Sequence, residues 1–316
     1  MKSEITVVVM TYNQKDYIAK TLESILAQKI DTNFDILVHD DCSEDGTYEI
    51  VLGYQKKFPN KIKIIHQNER KFLKDGFNMM IYKYVVPCIK SKYIAYCDGD
   101  DYWCNIHKLK KQYDFMETHK DYSMCFHSSY QLKQNGDMSS KWFIQGDRDV
   151  NMHDLINENL GICVATSSIF LKSYVFKNFP DWRKNFCVED FPMYIMAAMH
   201  GKIHQFSDVM CVYRQFAIGS WSSQNKENIA RLVSHQKDII ENIKSFDEQT
   251  NHKYHNLVKK RIDASAFRIA YLEKNFDVMF SKYYRKLFKK LTHKERMSLK
   301  LQYMFPTLYN LFKGRN

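Results

Sequence analysis

Tyr93-Ile94-Ala95-Tyr96-Cys97-Asp98-Gly99-Asp100-Asp101-Tyr102-Trp103 decides the reading of this chain, because an apolar strand-like run passes there directly into three carboxylates and a glycine. In an extended backbone successive side chains alternate faces, so Asp98 and Asp100 share one face while Gly99 lets the main chain turn closely. Two like charges held that near need a cation. Oxygen-only ligands suit Mg²⁺ or Mn²⁺, and an ion of that type takes one or two protein carboxylates and leaves room for substrate phosphate. The expectation is a divalent-metal site at the mouth of a sheet, with a metal-bound phosphate ester as its partner. Asp101 has a second reading, as a cap for the helix implied by the spacing of Ile106, Leu109, Tyr113 and Met116.

Upstream of this segment strand and helix signals alternate. Ile5 to Met10 is a β-branched run of the kind buried on both faces, and Ile18, Leu22, Ile25 and Leu26 then fall on one helical face between Asp16 and Gln28. Phe34 to His39 reads as a strand, Tyr48, Val51 and Tyr54 as a helix, Ile62 to Ile65 as a strand, and Gly76 to Val86 as a helix that Pro87 ends. Tyr93 to Cys97 and Tyr122 to Phe126 complete the series. Such a βαβ order predicts an α/β fold with a mostly parallel sheet flanked by helices, binding ligands beyond the carboxyl ends of its strands. Thr11-Tyr12-Asn13, Asp40-Asp41 and Asp98-Gly99-Asp100 lie at those ends and are expected to face one crevice. Residues 127–225 are less regular: polar from Gln131 to Asp149, apolar from Gly161 to Leu171, helical from Asp190 to His200 and strand-like from Ile203 to Tyr213. From about Asn225 the pattern is helical to the end.

At 316 residues with 45% apolar and 15% aromatic content the chain is a folded protein. Its eight cysteines show no CxxC pair and are expected to be reduced thiols on the cytosolic side. Met1-Lys2-Ser3-Glu4 leads straight into a strand-like run, and no uncharged stretch approaches the roughly 18 apolar residues of a spanning helix, so neither a secretory signal nor a membrane span is expected. The net charge of +11 is unevenly placed: 31 basic against 32 acidic residues over 1–250, but 16 against 4 over 251–316. A neutral body with a basic tail separates chemistry from an electrostatic contact. It also argues against a nucleic-acid-binding module, which would carry its charge over the folded body.

Three blocks, Val7 to Asn13, Ile36 to Thr47 and Tyr93 to Trp103, resemble in type and order the family 2 glycosyltransferases, inverting enzymes of GT-A fold. Val188 to Pro192 and Val212 to Arg214 match more loosely. The resemblance implies a nucleotide held by Thr11, Tyr12, Asn13 and Asp41, with Asp98 touching ribose or metal and Asp100 as direct ligand of Mn²⁺ or Mg²⁺. Tyr12 can stack on a base and Asp41 can accept from a ring N–H, which suits uracil and hence a UDP-sugar. Asp40, Asp41, Ser43 and Asp45 could instead simply build the turn. Arg70, Lys71 and Lys74 offer a pyrophosphate contact or a solvated basic turn, and the chain lacks the family's Arg-Asn stretch there. Asp190, opening an apolar helix in Glu189-Asp190-Phe191-Pro192, falls where the family places its catalytic base. Arg214 could pair with phosphate or with an internal acid, and Trp221 could stack on sugar or pack on the body.

The implied activity is transfer of one hexosyl or N-acetylhexosaminyl unit from a nucleoside diphosphate sugar to a glycan or lipid-linked acceptor in surface polysaccharide synthesis. The Gln-x-x-Arg-Trp element of processive synthases is absent. Residues 1–126 would be the nucleotide-sugar half, 127–225 the acceptor half of the same domain, and 226–316 a basic helical extension. In that extension Val278, Phe280, Tyr284, Leu287, Phe288 and Leu291 are interleaved with lysines and an arginine, which suits peripheral docking on the inner leaflet of a membrane. The main enzymatic alternative is a nucleotidyltransferase on a similar sheet, but that would carry a glycine-rich basic loop where this chain has Thr11-Tyr12-Asn13-Gln14. His200 and His204 have a zinc-like spacing, yet Gly201 interrupts the helix between them.

Overall fold

The computed structural model describes residues 3–142, 145–156, 164–184, 190–215, 217 and 228–305. The chain forms two compact units, 1–226 and 227–316. The first is built on a ten-stranded sheet: β1 (Ile5–Thr11), β2 (Phe34–Asp40), β3 (Ile62–His66), β4 (Tyr93–Tyr96), β5 (Tyr102–Trp103), β6 (Tyr122–Leu132), β7 (Met138–Trp142), β8 (Arg148–Val150), β9 (Phe170–Lys172) and β10 (Lys202–Arg214). Its order is β3-β2-β1-β4-β9-β6-β10-β5, with β7 on β6 and β8 on β10.

β1 is central, and all seven of its residues are buried, as its unbroken β-branched run requires. It pairs in parallel with β2 and β4, and β2 with β3. β6 and β10 form a long parallel pair, whereas the antiparallel pairings through β9, β5, β7 and β8 are short. Mostly parallel pairing with helices between successive strands is the expected α/β architecture. The helix Ile18–Leu26 buries Ile18, Thr21, Leu22 and Ile25, one stripe at helical spacing. Ile18, Leu22 and Ile25 join Val7, Val9, Ile36, Val38, Ala95 and Phe170 in the main core.

Register positions the polar ends. Thr11 lies opposite Asp40 and Asp40 opposite His66, while β4 stops level with Val8, so that the Gly99 N–H donates to the Met10 carbonyl at 2.9 Å. The three polar clusters therefore share one edge of the sheet. Several local expectations are corrected. The helix after β4 is Lys108–Thr118 with His107 at its N-cap, so Asp101 does not cap it and Ile106 lies outside it. Pro87 does not end the helix before it: Phe77–Met80 widens into a π turn at Ile81–Val85, and Pro87 sits inside a last 3₁₀ turn, Val86–Cys88. The polar stretch after β6 holds the hairpin to β7, and Tyr102–Trp103 adds a short strand with no counterpart in the sequence reading.

The second unit contains the helices Ile229–Gln249, His255–Leu272, Phe276–Phe280, Arg285–Lys290 and His293–Met304. The expected single amphipathic face of the tail is split between two short helices. Its apolar members, Val278, Phe280, Tyr284, Leu287, Phe288 and Leu291, pack against buried Phe267, Ala270, Met279 and Leu299, while Lys282, Arg285, Lys286, Lys289 and Lys290 stay exposed. Those aromatics form a local core because the intervening turn folds them inward. No helix among the described residues is long and apolar enough to cross a membrane. The six described cysteines, residues 42, 88, 97, 104, 125 and 211, form no disulfide.

Candidate active site

The loops after β1 and β2 are zipped together. Asn13 and Cys42 both take left-handed backbones, φ 51° and 64°. That geometry lets the Asn13 N–H donate to Ser43 Oγ at 2.9 Å while Asn13 Oδ1 accepts from the Glu44 N–H at 2.9 Å. Asp40 is fully buried and accepts from the Ser43 N–H at 3.1 Å, from the Ser43 hydroxyl, and pairs with His66 Nδ1 at 2.9 Å. Its carboxylate holds the turn. The Asp41 N–H reaches the Thr11 carbonyl at 3.0 Å, and its carboxylate accepts the Lys71 and Phe72 amides at 2.7 and 3.2 Å, capping the short helix Lys71–Asp75 from a distance. Burial pushes the Asp41 carboxyl upward, and those amides and Arg70 oppose the shift. Each acceptor oxygen still has a lone pair for a ligand N–H.

Arg70 closes this side. Its guanidinium lies 3.5 Å from the centre of the Tyr12 ring and its Nε 3.7 Å from Asp41, so one face of Tyr12 is covered by a cation. Lys71 and Lys74 are paired with Glu69 at 2.6 and 2.9 Å, which makes them a surface ion network. Of the three basic side chains named here, Arg70 is the one that reaches the loops after β1 and β2.

After β4 the chain passes over the β1 loop with no room to spare. A Cβ on Gly99 would meet Gln14 Oε1 at 2.3 Å, Thr11 Oγ1 at 2.8 Å and Thr11 Cβ at 2.9 Å. Here glycine is required by close approach rather than by φ. The Thr21 hydroxyl lies 2.9 Å from the Gly99 carbonyl and 2.6 Å from that of Asp101. Asp101 is the buried anchor of the turn: Ser167 Oγ donates to one of its oxygens at 2.7 Å and the Arg214 N–H to the other at 2.9 Å. Ser167 Oγ also accepts the Asp98 N–H at 3.1 Å. β5 pairs with β10, which brings Arg214 over this loop, where its guanidinium donates to the Asp100 carbonyl and stands 4.9 to 5.0 Å from the Tyr102 and Tyr17 rings. Arg214 is thus a clamp on the acidic loop. Ser167, Thr21 and Gln14 were not expected here; the small polar run Thr166-Ser167-Ser168 inside the apolar stretch Gly161 to Leu171 is the one local signal for the first of them.

Asp100 is 8% exposed, and burial pushes its carboxyl up to about 6 against the pull of its own N–H and of Arg214. Asp101 beside it is driven well above the usual carboxylate range, by burial and then by Asp100. A desolvated acidic pair of this kind favours a proton or a cation. Thr11 Oγ1 and Gln14 Oε1, next to the same turn, are buried without hydrogen-bond partners. An all-oxygen set with orphaned acceptors fits a hard dication of the Mg²⁺ or Mn²⁺ type. Asp190 opens the helix Asp190–His200; its side chain, Glu189 and Trp221 lie outside the described residues.

Comparison with known proteins accords with this arrangement. An uncharacterized protein of Mycobacterium tuberculosis (strain H37Rv) is 27% identical over 220 residues, 69% of this chain and 61% of its own length, so the match spans less than two thirds of that relative. The UDP-Glc:alpha-D-GlcNAc-diphosphoundecaprenol beta-1,3-glucosyltransferase WfaP of Escherichia coli is 26% identical over 238 residues, 74% of this chain and 86% of its own. Among solved structures, residues 1–349 of Staphylococcus aureus TarS in complex with UDP-GlcNAc superpose with a TM-score of 0.62 at 18% identity, covering 94% of this chain and 78% of that one. The fold is GT-A. The model of the family described as "Glycosyl transferase family 2" matches residues 6–179, and the chain belongs to that family.

Proposed function

We propose that the chain moves one sugar from a nucleoside diphosphate sugar, of the uridine class, to a hydroxyl of a glycan or lipid-linked acceptor in surface polysaccharide synthesis. The observation that carries this reading is that the end of β1 is joined to the loop after β2 on one side and to Gly99 after β4 on the other. There Thr11 and Gln14 lie against Gly99 of the acidic turn, and Thr11 in turn holds the Asp41 N–H, so the loop that carries Tyr12 and Asn13 and the loop that carries Asp41 adjoin Asp98-Gly99-Asp100. Support for a uridine donor and a diphospholipid-type acceptor comes from the name of the E. coli relative.

Each residue takes the following part in this reading. Asp41 accepts from the base, and the Tyr12 ring face opposite Arg70 is the one left for stacking. Asp98 and Asp100 would hold Mn²⁺ or Mg²⁺, and the ion would supply positive charge for the departing β-phosphate. Asp101, Ser167, Thr21 and Arg214 keep the turn in place by hydrogen bonds, so little reorganisation is needed as charge develops. Asp190 removes the acceptor proton as the hydroxyl attacks the anomeric carbon opposite the leaving group, which inverts the anomer. Residues 1–126 serve the donor and 127–225 the acceptor. Asp190→Asn is expected to lose transfer by at least about 100-fold while keeping donor binding, since general-base catalysis contributes roughly 10²–10⁴. The measurement is nucleoside diphosphate release with and without acceptor, and normal turnover by that variant would reject the assignment.

Peripheral docking on the cytoplasmic face of a membrane fits such an acceptor. It would rest on the exposed Lys282, Lys286, Lys289 and Lys290, not on the tail aromatics. Reversing those four charges should abolish co-sedimentation with anionic vesicles, and unchanged sedimentation would exclude docking through them.

A further inference from the structure

The turn joining the helices Ile229–Gln249 and His255–Leu272 gathers three ligand-type side chains that the proposed reaction does not use. Asp247 Oδ2 lies 2.9 Å from His252 Nδ1 and 2.8 Å from His255 Nδ1, and the three ligand atoms all fall within 4.8 Å of one another. The backbone is shaped to this end. Asn251 and His252 are both left-handed, φ 50° and 57°, and the His252 N–H donates to the Asp247 carbonyl at 2.8 Å, which returns the chain onto the helix end. A second feature points to a ligand. Asp247 is 5% exposed, and its other oxygen, Oδ1, is buried without a hydrogen-bond partner. Both imidazoles, by contrast, are open to solvent, at 63% and 61% side-chain exposure, so an entry path exists.

We infer that Asp247, His252 and His255 bind a borderline divalent cation of the Zn²⁺ class, separate from the oxygen-ligated site at the sheet edge. Ligand radii of about 2.0–2.2 Å with angles between about 90° and 109° place neighbouring ligand atoms about 2.8–3.6 Å apart. The two observed N···O separations already stand near the lower end of that range, so entry of the ion needs only small outward movements. Two imidazole nitrogens and one carboxylate select Zn²⁺ over Mg²⁺ or Ca²⁺, which prefer all-oxygen shells. Binding replaces the two N–H···O hydrogen bonds: each imidazole binds as its neutral Nε2–H tautomer, so the proton leaves Nδ1 and, where the ring was already neutral, Nε2 takes one up from solvent, while water fills the remaining position. The ion would pin the junction of the two longest helices of the C-terminal unit, and it would stabilise that unit by mass action.

The test is calorimetric titration of the full chain with Zn²⁺ in excess Mg²⁺, wild type against His252→Gln/His255→Gln. Both substitutions fall on exposed side chains, and uptake by thiols is common to the two proteins. The double variant is expected to bind one equivalent fewer, and His252→Gln alone to lose at least about tenfold in affinity. Equal stoichiometry and affinity in wild type and double variant overturn the site. Amide exchange on the wild type gives a reading that needs no variant: Zn²⁺ should slow exchange across residues 247–258, and unchanged rates there would likewise overturn it.

Discussion

Two acidic loops close the same edge of the sheet, and they use their carboxylates differently. After β2, Asp40 is committed to Ser43 and His66, and both oxygens of Asp41 cap the helix at Lys71. After β4, Asp101 alone does the equivalent work, through Ser167 and Arg214. The Asp100 carboxyl, by contrast, accepts a hydrogen bond from its own N–H. An acidic cluster therefore divides into carboxylates that hold a loop and carboxylates that the loop holds. Hydrogen-bond partners, not position in the motif, tell the two apart.

The largest expected effect separates the loops directly. Asp100→Asn removes a charge at the reacting centre and should lower kcat by about 10²–10³, the range for loss of one preorganised electrostatic contact. Its fold should survive, because the substitution also removes a buried charge. Asp41→Asn loses one amide acceptor and places an NH₂ against the other, which should destabilise the protein by about 1–2 kcal/mol and raise KM more than it lowers kcat. Kinetics and thermal melts on both variants check the contrast. It breaks if Asp41→Asn has the larger kcat defect.

How much of this could be read from sequence depends on the range over which each signal acts. β1 was legible because a strand buried on both faces must be continuously apolar, and the place of Asp98-Gly99-Asp100 at the end of the sheet because it directly follows an apolar strand. Ser167 and Thr21 were harder to read: each bonds the acidic turn across 66 or more positions of chain, so Thr21 leaves no local pattern and Ser167 only a short polar run that does not say what it touches. Tyr102–Trp103 is too short for any period to show. The tail misled for the opposite reason. Its apolar residues do fall at helical spacing, but the turn between Phe280 and Arg285 folds them into their own core, and a one-helix projection cannot represent that.

The loop-holding side should also govern acid stability. His39, at the end of β2 beside Asp40, is fully buried, and desolvation lowers its pKa to about 4, partly offset by Asp40. Because this folded-state value lies below the unfolded one near 6.5, the unfolded chain binds the proton first as pH falls. Stability is then full above about 6.5, declines from there to about 4, and loses about 2–3 kcal/mol from this residue. His127, whose pKa is likewise lowered by burial, adds to the same slope. Denaturant melts from pH 7.5 to 4 should show the decline, and His39→Gln should flatten it. A slope unchanged in that variant would shift the acid response away from β2.

The smallest effect tests the point where the two loops' supports meet. Gly99 has no steric need for a special backbone angle, yet a methyl group there would overlap Gln14 Oε1 and Thr11. Gln14 can swing aside at little cost. Thr11 cannot, since it ends a central strand and its carbonyl holds the Asp41 N–H. Gly99→Ala should therefore displace the acidic turn rather than β1, and overpacking of this kind costs about 1–3 kcal/mol. Because Asp101 stays tied to Ser167 and Arg214, the strain falls on Asp98 and Asp100. Activity should drop about tenfold and the Mn²⁺ concentration needed for half-maximal rate should rise, while donor binding measured without metal changes little. If metal-free donor binding falls as far as the rate does, the β1 and β2 loops have moved instead, and the two acidic loops are one mechanical unit rather than two.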